Sequence, residues 1–277
     1  MKGLFIFSHI LCLLFLTSCI QQNSDSEARP SKEQHSKEFS VQYKEPPISE
    51  TISTSTGTWK LIWEDSFDDA RKTKESWQFI KKGENYNNEL QYYHPDNVVI
   101  SNGVMKLIAK KEHYQNHSYT SGKAIAPWPI HYGRIEVRAK YQEGKGLFPA
   151  IWMLPVDTDK ILPEIDIFEA VGDDPSRVYG VLHSGTPEHL KSEHDIIFVE
   201  DFDEFHTYAL EWTKEELRFY VDDTLFFQTF KHIPQEPMNL ILNLAVGGNW
   251  PGEPNEETKF PSSFEIDDIK IYNLLGE

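Results

Sequence analysis

The residues with the greatest chemical capacity lie together in Glu164-Ile165-Asp166-Ile167-Phe168-Glu169, three carboxylates interleaved with apolar side chains. On a helix, Glu164 and Glu169 would stand about 140° apart, so no common acidic face would form. On a strand, Glu164 and Asp166 share one face while Ile165 and Ile167 enter the core. Glu169 is then out of phase by one residue, and a β-bulge at Ile167-Phe168 would return it to the acidic face. Three carboxylates on one patch repel one another, which raises at least one pKa. An ionised carboxylate beside a protonated acid near neutral pH is what glycosidic bond hydrolysis requires. Two plainer readings remain open for the hexapeptide alone: a solvated acidic face, or a carboxylate cage for a hard cation.

A scaffold must hold those groups, and the sequence is rich in strand signals. Arg134-Ile135-Glu136-Val137-Arg138-Ala139-Lys140 alternates polar and apolar with period two. Phe205 to Trp212, Asn239 to Ala245 and Phe264 to Tyr272 are further β-rich runs. Leu217 to Val221 and Leu225 to Phe230 flank Asp222-Asp223-Thr224, a predicted hairpin connection. No stretch keeps a 3.6-residue period over three turns. One antiparallel sandwich over residues 57–274 is the economical architecture.

The chain has 277 residues, of which 39% are hydrophobic and 13% aromatic, enough for a large core with rings to spare. Its net charge of −17 argues against nucleic acid, anionic membrane or a polyanionic polymer as partner. A neutral polymer fits that charge best.

At the N-terminus, Lys2 precedes an apolar run from Leu4 to Leu16, too short to span a membrane. Leu16-Thr17-Ser18-Cys19 resembles a bacterial lipobox, so residues 1–18 read as a lipoprotein signal peptide and Cys19 as the lipidated residue. Cys12 would leave with the signal, and no disulfide within the mature chain is expected. From Cys19 to Thr56 the Ser-, Glu-, Gln- and Lys-rich composition predicts a disordered tether, with order beginning near Gly57. The membrane is then met only through the lipid, on the outside of a bacterial cell or in its envelope, and a monomer is the default.

Several segments resemble family 16 of the glycoside hydrolases, in particular the bacterial endo-β-1,3-glucanases called laminarinases. They include Trp59 to Trp63, Asn87-Asn88-Glu89-Leu90-Gln91-Tyr92-Tyr93, Tyr119-Thr120-Ser121 and Tyr132-Gly133-Arg134-Ile135-Glu136. Pro149 to Leu154, the acidic hexapeptide, Phe205-His206-Thr207-Tyr208 and Leu242 to Pro251 complete the series in the family's order. The resemblance implies an all-β, concanavalin A-like antiparallel jelly-roll sandwich with an open concave cleft over residues 57–277, and a retaining mechanism. It implies Glu164 as nucleophile, Glu169 as general acid/base, and Asp166 as the residue that hydrogen-bonds the nucleophile. Retention needs the two carboxyls about 5–5.5 Å apart. Four effective strand steps separate their Cα atoms by roughly 13 Å, so the two arms must lean together over Asp166.

His183 aligns with a histidine beside the catalytic strand, against the alternative of a purely structural histidine. Trp128, Phe148, Trp152, Trp250 and Tyr92 are candidate sugar-stacking rings, each against the alternative of core packing. Asn87, Asn88, Glu89 and Asn249 are candidate hydroxyl partners. The resemblance also implies a structural calcium held by the Ser66 and Gly103 carbonyls and the Asp267 carboxylate, with no cofactor for catalysis. Three departures from the laminarinase pattern concern substrate contacts: Lys160-Ile161-Leu162-Pro163 replaces a Trp-Pro segment, Phe148 replaces a tryptophan, and Gly122-Lys123 replaces Ala-Arg. The expected substrate is thus a laminarin-type β-glucan, with mixed-linkage glucan or a galactan as the alternative, and a glycan-binding lipoprotein as the non-enzymatic one.

Overall fold

The computed structural model describes residues 50–83 and 85–276. The expected signal peptide, Cys19 and most of the expected tether lie outside them. The strands in chain order begin with β1 (Thr51–Ser53), β2 (Thr58–Asp65), β3 (Gln78–Phe79), β4 (Gln91–Tyr93), β5 (Val98–Ser101) and β6 (Val104–Ala109). Next come β7 (Tyr119–Ser121), β8 (Lys123–Ile125), β9 (Gly133–Tyr141), β10 (Leu147–Pro155), β11 (Glu164–Ala170) and β12 (Arg177–Thr186). The last six are β13 (His189–Phe198), β14 (His206–Trp212), β15 (Leu217–Val221), β16 (Thr224–Thr229), β17 (Met238–Val246) and β18 (Ser262–Leu274). Among the described residues one α-helix, α1 (Ala70–Ser76), interrupts them; Asp69 caps it by accepting the Arg71 and Lys72 amides.

Sixteen of these strands form two large antiparallel sheets, while β4 and β7 pair in parallel as a small third one. One runs β1-β2-β18-β9-β14-β15-β16 with β5 and β6 joined through β18, and the other runs β13-β12-β11-β10-β17-β8-β3. The jelly-roll expectation holds. Alternation places Ile135, Val137 and Ala139 of β9 inside, against Met153, Ile165 and Phe168 of the facing sheet. The hairpin forms at Asp222-Asp223, with β16 starting at Thr224.

One expectation is corrected. Order begins before Gly57, because Thr51–Ser53 pairs with Thr58–Lys60 as an edge strand. On the outer face of β9, Arg134 is buried. Its guanidinium donates to Glu211 at 2.8 Å and to Glu136 at 2.7 Å, and Tyr220 and Thr56 also donate to Glu211. The N-terminal segment thus covers part of the outer face of the first sheet, where Trp59 donates its indole N–H to Thr54 at 3.0 Å.

Candidate active site

β11 is central to the second sheet and carries the hexapeptide. Asp166 pairs with Val181 and Glu169 with Tyr179, so Ile167 and Phe168 together oppose the single residue Gly180. This is the expected bulge. Ile165, Ile167 and Phe168 are fully buried, and Phe168 packs on Tyr208 with ring centroids 4.3 Å apart. Gly180 fits opposite the bulge because a Cβ there would lie 2.9 Å from the Phe226 ring. Burying two consecutive side chains returns Glu169 to the face of Glu164 and Asp166.

All three acids line one cavity of about 380 Å³ on the open face of the second sheet. Burial raises the Glu164 pKa, against hydrogen bonding from Asp166 and the positive charge of Lys123. Burial also raises Glu169, and the charge of Glu164 pushes it the same way with nothing opposing. Glu169 is therefore the group better held protonated and Glu164 the one better held ionised. Asp166 itself is buried.

His183 pairs with Glu164 across β12, with Nε2 3.5 Å from Asp166 and Nδ1 2.7 Å from the Ser192 hydroxyl. Burial, then the nearby His194, drops its pKa to about 4. It is neutral at pH 7, so its approach to Asp166 is a polar contact and not an ion pair.

Of the other expected sugar contacts, Asn87, Asn88, Glu89, Phe148, Trp152 and Asn249 line the same cavity. Asn87 and Asn88 have φ of 56° and 59°, a conformation that asparagine tolerates. Asn88 donates to the Asn249 side chain at 2.7 Å, and the Asn249 N–H donates to the Asn87 carbonyl at 2.8 Å. Glu89 accepts from Gln91 at 2.7 Å, and Trp152 donates to Asn243 at 2.6 Å.

The family model for glycosyl hydrolases family 16 matches residues 85–267. The chain belongs to that family. It is similar to the β-glucanase of Rhodothermus marinus, 35% identical over 78% of this chain and 86% of that protein. Among solved structures it is similar to the endo-β-1,3-glucanase of Pyrococcus furiosus, with a TM-score of 0.74 at 28% identity over 82% of this chain and 99% of that one. It is also 33% identical to the endo-1,3-1,4-β-glycanase ExsH of Rhizobium meliloti, over 63% of this chain and 39% of that protein. The protein is a retaining glycoside hydrolase of family 16 and an endo-acting β-glucanase.

Three expected stacking rings are not among the residues lining the cavity. Trp128 meets Trp63 edge-on at 4.9 Å. Trp250 packs on Phe148 at 5.3 Å and on Tyr179 at 4.9 Å. Tyr92 is buried against Tyr114 at 4.7 Å, and alternation along β4 sends Tyr93 into the cavity in its place. Ile161 and Leu162 supply an aliphatic wall where the Trp-Pro segment is replaced. Tyr93 and Asn243 were not among the expected site residues, and Lys123 entered only as a departure from the family pattern at a substrate contact. Asn243 had a signal, as the amide that interrupts the apolar stretch from Leu240 to Val246 in β17.

The expected calcium ligands lie outside this cavity. The Ser66 carbonyl is 3.6 Å from the position a Cβ would take at Gly103, so those two residues are neighbours. Asp267 follows Ile266, which pairs with Met105 two residues beyond Gly103. Its Oδ2 faces Arg138, while its buried Oδ1 has no hydrogen-bond partner. A buried carboxylate oxygen without a hydrogen-bond partner is a ligand that suits a hard cation.

Proposed function

We propose that the protein hydrolyses β-1,3-glucosidic linkages within laminarin-type β-glucans. The observation that carries this reading is the bulge that sets Glu164, Asp166 and Glu169 on one face, in a family where similar proteins are described as β-1,3-glucanases. Glu164, ionised and hydrogen-bonded by Asp166, attacks the anomeric carbon. Glu169 gives its proton to the departing glycosidic oxygen, and a glycosyl ester forms on Glu164. Water then enters, Glu169 takes its proton, and the ester is released with the original configuration. Binding falls to Trp152 and Phe148 through sugar faces, and to Asn87, Asn88, Glu89, Asn243 and Asn249 through hydroxyls.

A mixed-linkage glucan is the second reading. It is favoured by the aliphatic wall of Ile161 and Leu162, and by the likeness to a protein described as acting on 1,3-1,4 linkages. Reducing-sugar release should be compared on laminarin, mixed-linkage glucan, agarose and carrageenan, with Glu164→Gln as the blank. Release from laminarin at least tenfold above the others supports the β-1,3 reading. Equal or faster release from another polymer transfers the assignment to it.

The lipobox-like Leu16-Thr17-Ser18-Cys19 supports export and a lipid anchor at Cys19, which would place the catalytic sandwich at the cell surface or within the envelope. Ser66, Gly103 and Asp267 would hold a structural calcium that clamps the loop after β2 to β6 and β18. It would take no part in the bond cleavage.

A further inference from the structure

Among the residues lining the catalytic cavity, the only cations are Lys82 and Lys123, facing Glu89, Glu164, Asp166 and Glu169. Lys123 opens β8, two strands away from β10 and three from β11 in the sheet order. Its backbone is about 14 Å from that of β11 at ordinary strand spacing. The side chain crosses much of that gap. Its Nζ lies 4.7 Å from the centre of the Trp152 ring, and Trp152 is paired with Asp166 on the neighbouring strand. A second ring, Tyr93, lies 5.5 Å from the same Nζ. The ammonium is therefore braced between two aromatic faces in the cavity that the catalytic carboxylates also line, with no salt bridge among the described residues.

We propose that Lys123 is a positioning residue whose braced charge keeps the nucleophile Glu164 ionised. This rests on the reading of Glu164 as nucleophile. The groups facing Lys123 are few. Asn243 is its register partner on β17, Tyr93 and Trp152 hold its two sides, and Glu89 and Lys82 are its charged neighbours besides Glu164. Burial, opposed by Glu89 and Glu164 and aided by Lys82, brings its pKa down to about 8. The same interaction acts in reverse on Glu164, where Lys123 opposes the effect of burial. Glu169 receives no such help. One cation thus favours the ionised form of one carboxylate more than the other, which divides their roles.

The sign follows from that asymmetry. Without the charge, Glu164 needs a higher pH to ionise, so the acid limb of kcat/KM moves up while the alkaline limb, set by Glu169, moves less. The profile should be measured for the wild type, Lys123→Met and Lys123→Arg. The methionine variant should show its acid limb raised by about one pH unit, and the arginine variant should return it to the wild-type position. A uniform fall in kcat/KM with both limbs fixed would overturn the proposal, since a mere sugar contact would do that. The carboxyl titration of ¹³C-glutamate-labelled protein, with Glu164 assigned from Glu164→Gln, gives a readout that needs no turnover. Its midpoint must rise in Lys123→Met even if none of the tested glycans proves to be a substrate; an unchanged midpoint contradicts the proposal and leaves the hydrolase reading intact.

Discussion

Glu164 and Glu169 are chemically identical side chains five positions apart, and their surroundings make them different. Both carboxyls are raised by burial, and only Glu164 has a hydrogen-bonding acid and a lysine working against that rise. Raised folded-state values have a consequence for stability. Between the ordinary carboxylate pKa of the unfolded chain and the higher folded one, the native state binds more protons, so stability falls as pH climbs through that window. Glu169→Gln removes one such group. Its melting temperature should match the wild type below pH 4 and exceed it increasingly up to pH 8, while hydrolysis is lost. Equal melting temperatures across that range would show that the carboxyl is not held above its ordinary value. The gain belongs to the common pattern in which active-site groups are kept at the expense of stability.

At the scale of one element, the bulge in β11 decides which face Glu169 occupies. Removing Ile167 leaves Glu164, Ile165, Asp166, Phe168 and Glu169 in regular alternation, with all three acids still together. That deletion should keep measurable activity and lower stability by about 2–5 kcal/mol, as expected for a lost core side chain. Inserting one alanine after Phe168 should instead turn Glu169 inward and reduce hydrolysis to the level of Glu169→Gln. Activity assays with thermal unfolding distinguish the two, and an active insertion variant would contradict the assignment of faces. The bulge was legible in the sequence because three acids broke a period of two by one residue. The ring assignments were less so. Tyr92 and Tyr93 are adjacent and alike, and only the register of β4 against β7 shows which one faces the cavity. Trp128 has the composition of a sugar platform, but its contact with Trp63 depends on chain segments far apart in sequence.

For the whole molecule, the two sheets have different tasks. The second presents the acids and the cavity, and the first backs it while burying a charged cluster on its outer face. Arg134 and Glu211 are both buried there, and Thr56 contributes a donor to Glu211. Composition from Ile20 to Thr56 reads as a tether because those residues are polar; that Thr54 and Thr56 serve as hydrogen-bond partners for Trp59 and Glu211 is a tertiary fact no local pattern announces. A chain beginning at Gly57 should therefore unfold at a lower temperature than one beginning at Glu50, by about 1–3 kcal/mol of stability. Its kcat on a given glucan should be unchanged, because the cavity is on the other sheet. Equal stability of the two chains would show that the segment merely rests on the surface.

The central claim is that Glu164 and Glu169 act by double displacement across the face that the bulge creates. The most direct measurement is the configuration of the reducing end released in the first minutes of laminarin hydrolysis, followed by proton NMR before mutarotation equilibrates it. The account predicts that the β-anomer appears first and the α-anomer grows in only later. Initial release of the α-anomer would mean a single inverting displacement, and would contradict the roles given to both glutamates.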